Sequence, residues 1–247
     1  MIDTHAHLTA LEDPDEAVER AAEAGVTRIL TVGTSVEDGR RALELAERHD
    51  GVFAIPGIHP HEAGTATEGD LAELRELLAH PKAVAVGETG LDWHRDYAPR
   101  DAQLRLFAAQ LELATELRKP VVIHTRAADD DTLAALAGHT GTVVLHCFSS
   151  AHMLPTALER GWYVSFAGNA TFPKAVDLRL AATEVPAECI LAETDSPYLS
   201  PQPVRGKQNE PANVVHTVAT LARARGEEAE ELGRRIERNA AECFRLP

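Results

Sequence analysis

Two histidines, His5 and His7, stand one residue apart in the run DTHAHL. Alternate residues of a strand share a face, so both imidazoles can point at one ion. Further groups of the same chemistry close other apolar runs: Glu88 in VAVGETGLDW, His124 in VVIHTR, His146 in VVLHCF and Asp195 in ILAETDSP. A carboxylate can bridge two cations, which is the reading given to Glu88; the competing one is an ion pair with Arg126. Matched aliphatic runs ending in His124 and His146 favour ligation over two separate core histidines. Asp195 is suited both to ligate and to take a proton from an activated water, against the plainer role of capping the turn before Ser196. The chemistry implied is hydrolysis with one or two divalent metal ions, Mg, Mn or Zn, imidazole shifting the preference away from Mg.

Around these stand residues that suit a substrate. His59 and His61 flank Pro60 in GIHPH and are assigned a substrate-binding or orienting role. Arg126 follows His124 by two residues and is a candidate phosphate partner. Arg205 and Lys207, around Gly206, form either a phosphate clamp or an ordinary solvated turn. Asp3 is expected to orient one of the first two imidazoles. His49, His80 and His139 follow helical segments and are expected at the surface. No GxxxxGK[ST], GxGxxG or GxSxG occurs, which disfavours P-loop, dinucleotide and serine-hydrolase chemistry.

Such residues need a frame that brings distant strand ends together. Eight apolar runs read as strands: 2–8, 27–33, 52–60, 83–91, 120–126, 142–148, 162–168 and 189–195. Between them the spacing predicts helices over 14–24, 36–48, 70–78, 100–118, 130–136, 152–159 and 174–183, with two more over 213–225 and 227–242. Leu104, Phe107, Leu111 and Ala114 mark the apolar face of the helix from Arg100. Strands alternating with helices over 247 residues fit one α/β domain, residues 1–247, of the (β/α)8 TIM-barrel class, where strand ends meet at one face.

The net charge of −15 argues against a broadly basic surface for duplex DNA. No run is long and apolar enough to span a membrane, so no membrane partner is expected. Cys147, Cys189 and Cys243, odd in number and widely spaced, read as reduced thiols of a cytoplasmic protein. A monomer is expected.

Taken in order, DTHAHL, GIHPH, GETGLDW, VVIHTR, VLHCFSS, SFAGNATF and ETDSPYLSPQPVRGKQNEP resemble the TatD family of metal-dependent hydrolases over nearly the whole chain. The resemblance implies an amidohydrolase-like barrel, a divalent metal site and nuclease activity on DNA. It implies that His5 and His7 hold one metal with Glu88 and Asp195, and that Glu88 bridges to a second held by His124 and His146. The leading expectation is exonucleolytic hydrolysis of single-stranded DNA ends, since a strand end can enter a barrel mouth without a broad basic surface. The alternative substrates are other phosphorylated compounds or esters and amides, as for an aminoacyl-tRNA deacylase, because the same donor set can serve attack on a carbonyl.

Overall fold

Short β-branched runs and longer Ala/Leu/Glu/Arg-rich runs alternate along the chain, and the computed structural model, which describes residues 1–95 and 97–247, turns them into alternating strands and helices. The strands are β1 (Ile2–Ala6), β2 (Arg28–Val32), β3 (Val52–Ile55), β4 (Val86–Asp92), β5 (Val121–Arg126), β6 (Val143–Leu145), β7 (Tyr163–Phe166) and β8 (Ile190–Ala192). The α-helices are α1 (Pro14–Glu23), α2 (Val36–Arg48), α3 (Glu68–Leu78), α4 (Arg100–Leu117), α5 (Asp129–Leu136), α6 (Leu154–Glu159), α7 (Val176–Glu184), α8 (Val214–Arg225) and α9 (Ala229–Phe244). They form two compact units, residues 1–31 with 146–247, and residues 32–145.

In the first unit β1 runs parallel to β2, with Ile2 opposite Arg28 and Asp3 opposite Ile29. β7 runs parallel to β8, with Val164 opposite Ile190. Every residue of β1 is buried, as expected of a parallel strand covered on both faces. α9 packs on β1 and β8, and the Asn239 amide donates to the carbonyls of Ala187 and Ile190, tying the helix to the start of β8. Near the far end of β7, a Cβ on Gly168 would lie 2.1 Å from the Leu199 carbonyl oxygen, so only glycine lets the loop after β8 approach so closely.

In the second unit β4, β5 and β6 are parallel neighbours: Gly90 faces His124, and Val122 faces Val144. Gly90 has φ +143°, and a Cβ there would lie 2.0 Å from the His124 carbonyl oxygen. α3 begins with a reciprocal cap in which Thr67 accepts from the Asp70 amide and Asp70 accepts from the Thr67 amide. α4 packs on β4, with Phe107, Leu111 and Ala114 buried as the spacing predicts. Leu104, however, is 41% exposed. Gln103 and Gln110 take up the buried face instead, because their amides have backbone to satisfy. Gln110 accepts from the Ile58 amide and donates to the Ile58 carbonyl and the Thr89 hydroxyl. Gln103 does the same for the two main-chain groups of Asp92.

Two further expectations are corrected. His139 is buried, its Nδ1 3.4 Å from the Thr115 hydroxyl and its ring against Gly141, where the chain turns without a side chain. Several strands are also shorter than their apolar runs. β3 stops at Ile55, β6 at Leu145 and β8 at Ala192, so His59, His146 and Asp195 lie in the turns beyond. Cys147 (φ +45°) and Asp195 (φ +55°) are left-handed, which a ladder cannot accommodate.

Candidate metal centre

The first group of polar side chains is assembled by β1 and the turn after β8. The Asp195 amide donates to the His5 carbonyl at 2.9 Å, and the His7 amide donates to the Ser196 carbonyl at 2.8 Å. This short parallel bridge sets Asp195 beside both histidines: its Oδ1 is 3.4 Å from His7 Nε2 and 4.0 Å from His5 Nε2. The left-handed Asp195 backbone turns the carboxylate out of the strand direction. His146 enters from the turn after β6, its ring stacked on that of His5 with centroids 3.9 Å apart and planes within 15°.

Ligand-capable atoms of His5, His146 and Asp195 lie within 4.8 Å of one another. Two imidazoles and a carboxylate at that spacing fit a divalent ion of the nitrogen- and oxygen-loving kind. His146 is pre-oriented for the task. Its Nδ1 is 3.0 Å from the Glu193 carboxylate, which also accepts the Cys147 amide at 2.8 Å. Glu193 is wholly buried, and it fixes the tautomer of His146 with Nε2 as the lone-pair nitrogen. Burial would raise the Asp195 carboxyl, but the hydrogen bond from His7 and the favourable electrostatics of His146, His7 and His5 outweigh it and hold the group below the usual carboxylate range.

Asp3 does something other than orient an imidazole. Its carboxyl group meets the Thr194 amide at 2.8 Å, the Thr194 hydroxyl at 2.5 Å and the His5 amide. It thereby locks β1 to the turn that carries Asp195. Burial pushes the Asp3 carboxyl up to about 8, against the lowering effect of those bonds.

The second group lies in residues 32–145. Glu88, on β4, has its Oε1 2.7 Å from His124 Nδ1 and 3.5 Å from His59 Nε2, and these three residues also bring ligand-capable atoms within 4.8 Å of one another. The chemistry of the two imidazoles differs. His59 Nδ1 accepts the His61 amide at 3.1 Å, and burial holds the ring down to about 4. His59 is therefore neutral at pH 7 with its proton on Nε2, which makes that nitrogen a donor. His124 instead faces two carboxylates, Glu88 at Nδ1 and Asp92 at Nε2 (3.2 Å). If Nε2–H is given to Asp92, Nδ1 is left as a ligand beside Glu88.

Asp92 also meets His61 Nε2 at 3.0 Å and accepts the amides of His94 and Arg95. Burial alone would raise its carboxyl, but bonds from His124, the Arg95 amide and His61 carry it well below the usual range.

Sequence reasoning counts Asp92 and Glu193 among the metal-capable or charged groups at strand ends but gives neither a specific partner. The available signal for Glu193 was an acid closing the apolar run CILA. Arg126 is exposed at the end of β5. Arg205 and Lys207 are exposed on the loop after β8, where the Arg205 guanidinium lies 3.7 Å from the centre of the Phe172 ring.

The model of TatD-related DNases matches residues 2–245. The chain belongs to the TatD family. It is 41% identical to the metal-dependent hydrolase TatD of Mycobacterium tuberculosis, over all of this chain and 98% of that one. It is 38% identical to the 3'-5' ssDNA/RNA exonuclease TatD of Erwinia billingiae, over the whole of both chains. The crystal structure of the TatD homologue YjjV from Escherichia coli K12 superposes with a TM-score of 0.94 at 31% identity, covering all of this chain and 98% of that one. The fold is thus the (β/α)8 barrel expected from the strand–helix alternation, and this TatD-family chain is a metal-dependent hydrolase. Among the described residues, no helix is long and apolar enough to cross a membrane.

Proposed function

We propose that this hydrolase is an exonuclease that shortens single-stranded nucleic acid, DNA in the first instance, from the 3′ end. The observation that carries the reading is the convergence of His5, His146 and Asp195, a three-ligand set that includes a carboxylate, in a relative of named 3'-5' exonucleases. His5, His7, His146 and Asp195 would hold one ion; Glu88 and His124 would hold another. A divalent ion in such a site lowers the pKa of water and polarises phosphoryl oxygens.

The remaining work belongs to the side chains. Asp195, kept ionised by its histidine neighbours, accepts the proton of the attacking water at its carboxylate. His59, its ring neutral at pH 7, turns Nε2–H toward the Glu88 carboxylate and so orients that group without adding charge. Arg126, Arg205 and Lys207, with His61, draw phosphates to a protein whose net charge is −15 and would otherwise repel them. Each chain carries its own ligand set, so a monomer suffices. The three cysteines are unbridged, which suits the reducing cytoplasm.

The test is hydrolysis of a single-stranded oligonucleotide beside a carboxylic ester, with wild type and Asp195→Asn. Metal-dependent cleavage of the oligonucleotide that falls by roughly 100–10,000-fold in the variant, the range for loss of a proton acceptor, is expected. Full activity of Asp195→Asn would overturn the assignment. Hydrolysis of the ester alone would move the substrate to the acyl class.

A further inference from the structure

The loop between β8 and α8 holds an exposed aromatic ring in a fixed backbone. Tyr198 is 58% exposed, three residues beyond Asp195, and its ring stands edge-on to His7 with centroids 5.9 Å apart. A single exposed ring is ordinary at a protein surface, and what matters is its place beside His7. Here the main chain is immobilised while the ring is left in solvent. The Tyr198 amide donates to the Asp195 carbonyl at 2.9 Å, and the Tyr198 carbonyl accepts from the Asn209 side chain, through Nδ2, at 2.6 Å. The loop closes on itself where the Asn209 amide meets the Pro197 carbonyl and the Ser200 hydroxyl meets the Lys207 carbonyl. Its far side carries Arg205, stacked on Phe172, and Lys207.

A rigid loop with an open aromatic face at a ligand group and cations further along has the features of a single-strand binding platform, in which rings take bases and cations follow the backbone.

We propose that Tyr198 is a base-stacking residue: its ring takes the face of the terminal nucleobase of a single strand whose scissile phosphate lies at the His5–His146–Asp195 group. The inference rests on the nuclease reading and deepens it. An unpaired terminal base is free to turn its face onto the ring, and every base has such a face, so the contact carries no sequence preference.

The experiment compares an ordinary oligonucleotide with one whose terminal nucleotide lacks its base, on wild type, Tyr198→Ala, Tyr198→Leu and Tyr198→Phe. KM and kcat are measured separately. Stacking of one base is worth roughly 10-fold in KM. Wild type is expected to lose about that on removal of the base. Tyr198→Ala and Tyr198→Leu should lose the same on the intact strand and nothing more on the abasic one, with Tyr198→Phe like wild type. A terminal 2-aminopurine should be quenched on binding to Asp195→Asn, and not when Tyr198→Leu is added. Equal weakening of both strands by Tyr198→Leu, or no effect on either, overturns the proposal while the nuclease reading stands. Failure of wild type to cleave either strand overturns both.

Discussion

Asn209 is fully buried, and its side chain holds the loop after β8 in place. Nδ2 donates to the Thr194 carbonyl at 2.9 Å and the Tyr198 carbonyl at 2.6 Å, while Oδ1 accepts from the Glu210 amide and from Asn213 Nδ2, each at 3.0 Å. Asn209→Ala removes all of these. The Thr194 carbonyl is buried and loses a donor that water cannot readily replace, whereas the groups at Tyr198, Glu210 and Asn213 are nearer solvent. With water taking over at the three groups nearer solvent, those bonds together cost about 1 kcal/mol, and the buried carbonyl left unpaired adds ~1–3 kcal/mol, an expected loss of about 3 kcal/mol. For a chain of this size that is a fall in Tm of roughly 6–12 °C. Urea unfolding followed by circular dichroism should show a lower midpoint with an unchanged slope. Because the same loop carries Tyr198, Arg205 and Lys207, KM for an oligonucleotide should rise more than kcat falls. A stability loss below about 1 kcal/mol would refute the claim that these bonds hold the loop.

Other consequences follow from the supports of each group. Glu193→Gln removes the charge that fixes the tautomer of His146, and metal affinity measured by calorimetric titration should fall roughly 10–100-fold; unchanged affinity would remove Glu193 from that role. Gly90→Ala forces a Cβ to within 2.0 Å of the His124 carbonyl oxygen at φ +143°, so thermal unfolding should show one of the large losses, about 4 kcal/mol or more, or no folded protein. Thr67→Ala should cost about 1 kcal/mol at neutral pH by deleting the α3 cap. The bonds from the Thr67 hydroxyl and amide hold the Asp70 carboxyl below its ordinary range, so its contribution is complete above the unfolded carboxylate pKa and is lost as pH falls through the folded one. The Thr67→Ala penalty, read by urea titration, should therefore shrink below about pH 4.

Much of this architecture was legible in residue order. VVIHTR and VVLHCF end apolar runs in histidine, and ILAETD ends one in acids. An apolar strand has no reason to finish that way unless its end opens on a polar site. Residue types cannot show which imidazole meets which carboxylate. That depends on the left-handed turns at Cys147 and Asp195, which swing His146 toward His5 and Asp195 toward His7, and neither position is a glycine that would have advertised the turn. Gln103 and Gln110 were hidden for a related reason: a helical pattern marks polar residues as solvent-facing, whereas these two are buried because backbone carbonyls and amides await them. His59 carried no sign of its tautomer, which follows from one backbone amide, that of His61, pointing at Nδ1.

The most direct test of the account uses one single-stranded oligonucleotide labelled at its 5′ end and another labelled at its 3′ end, each incubated with enzyme and Mg2+, Mn2+ or Zn2+. The 5′ label should appear in a ladder that shortens one nucleotide at a time, and the 3′ label should be released at once as a mononucleotide. Scattered internal fragments from both labels, or intact strands from an enzyme shown to hold its metal, would contradict it.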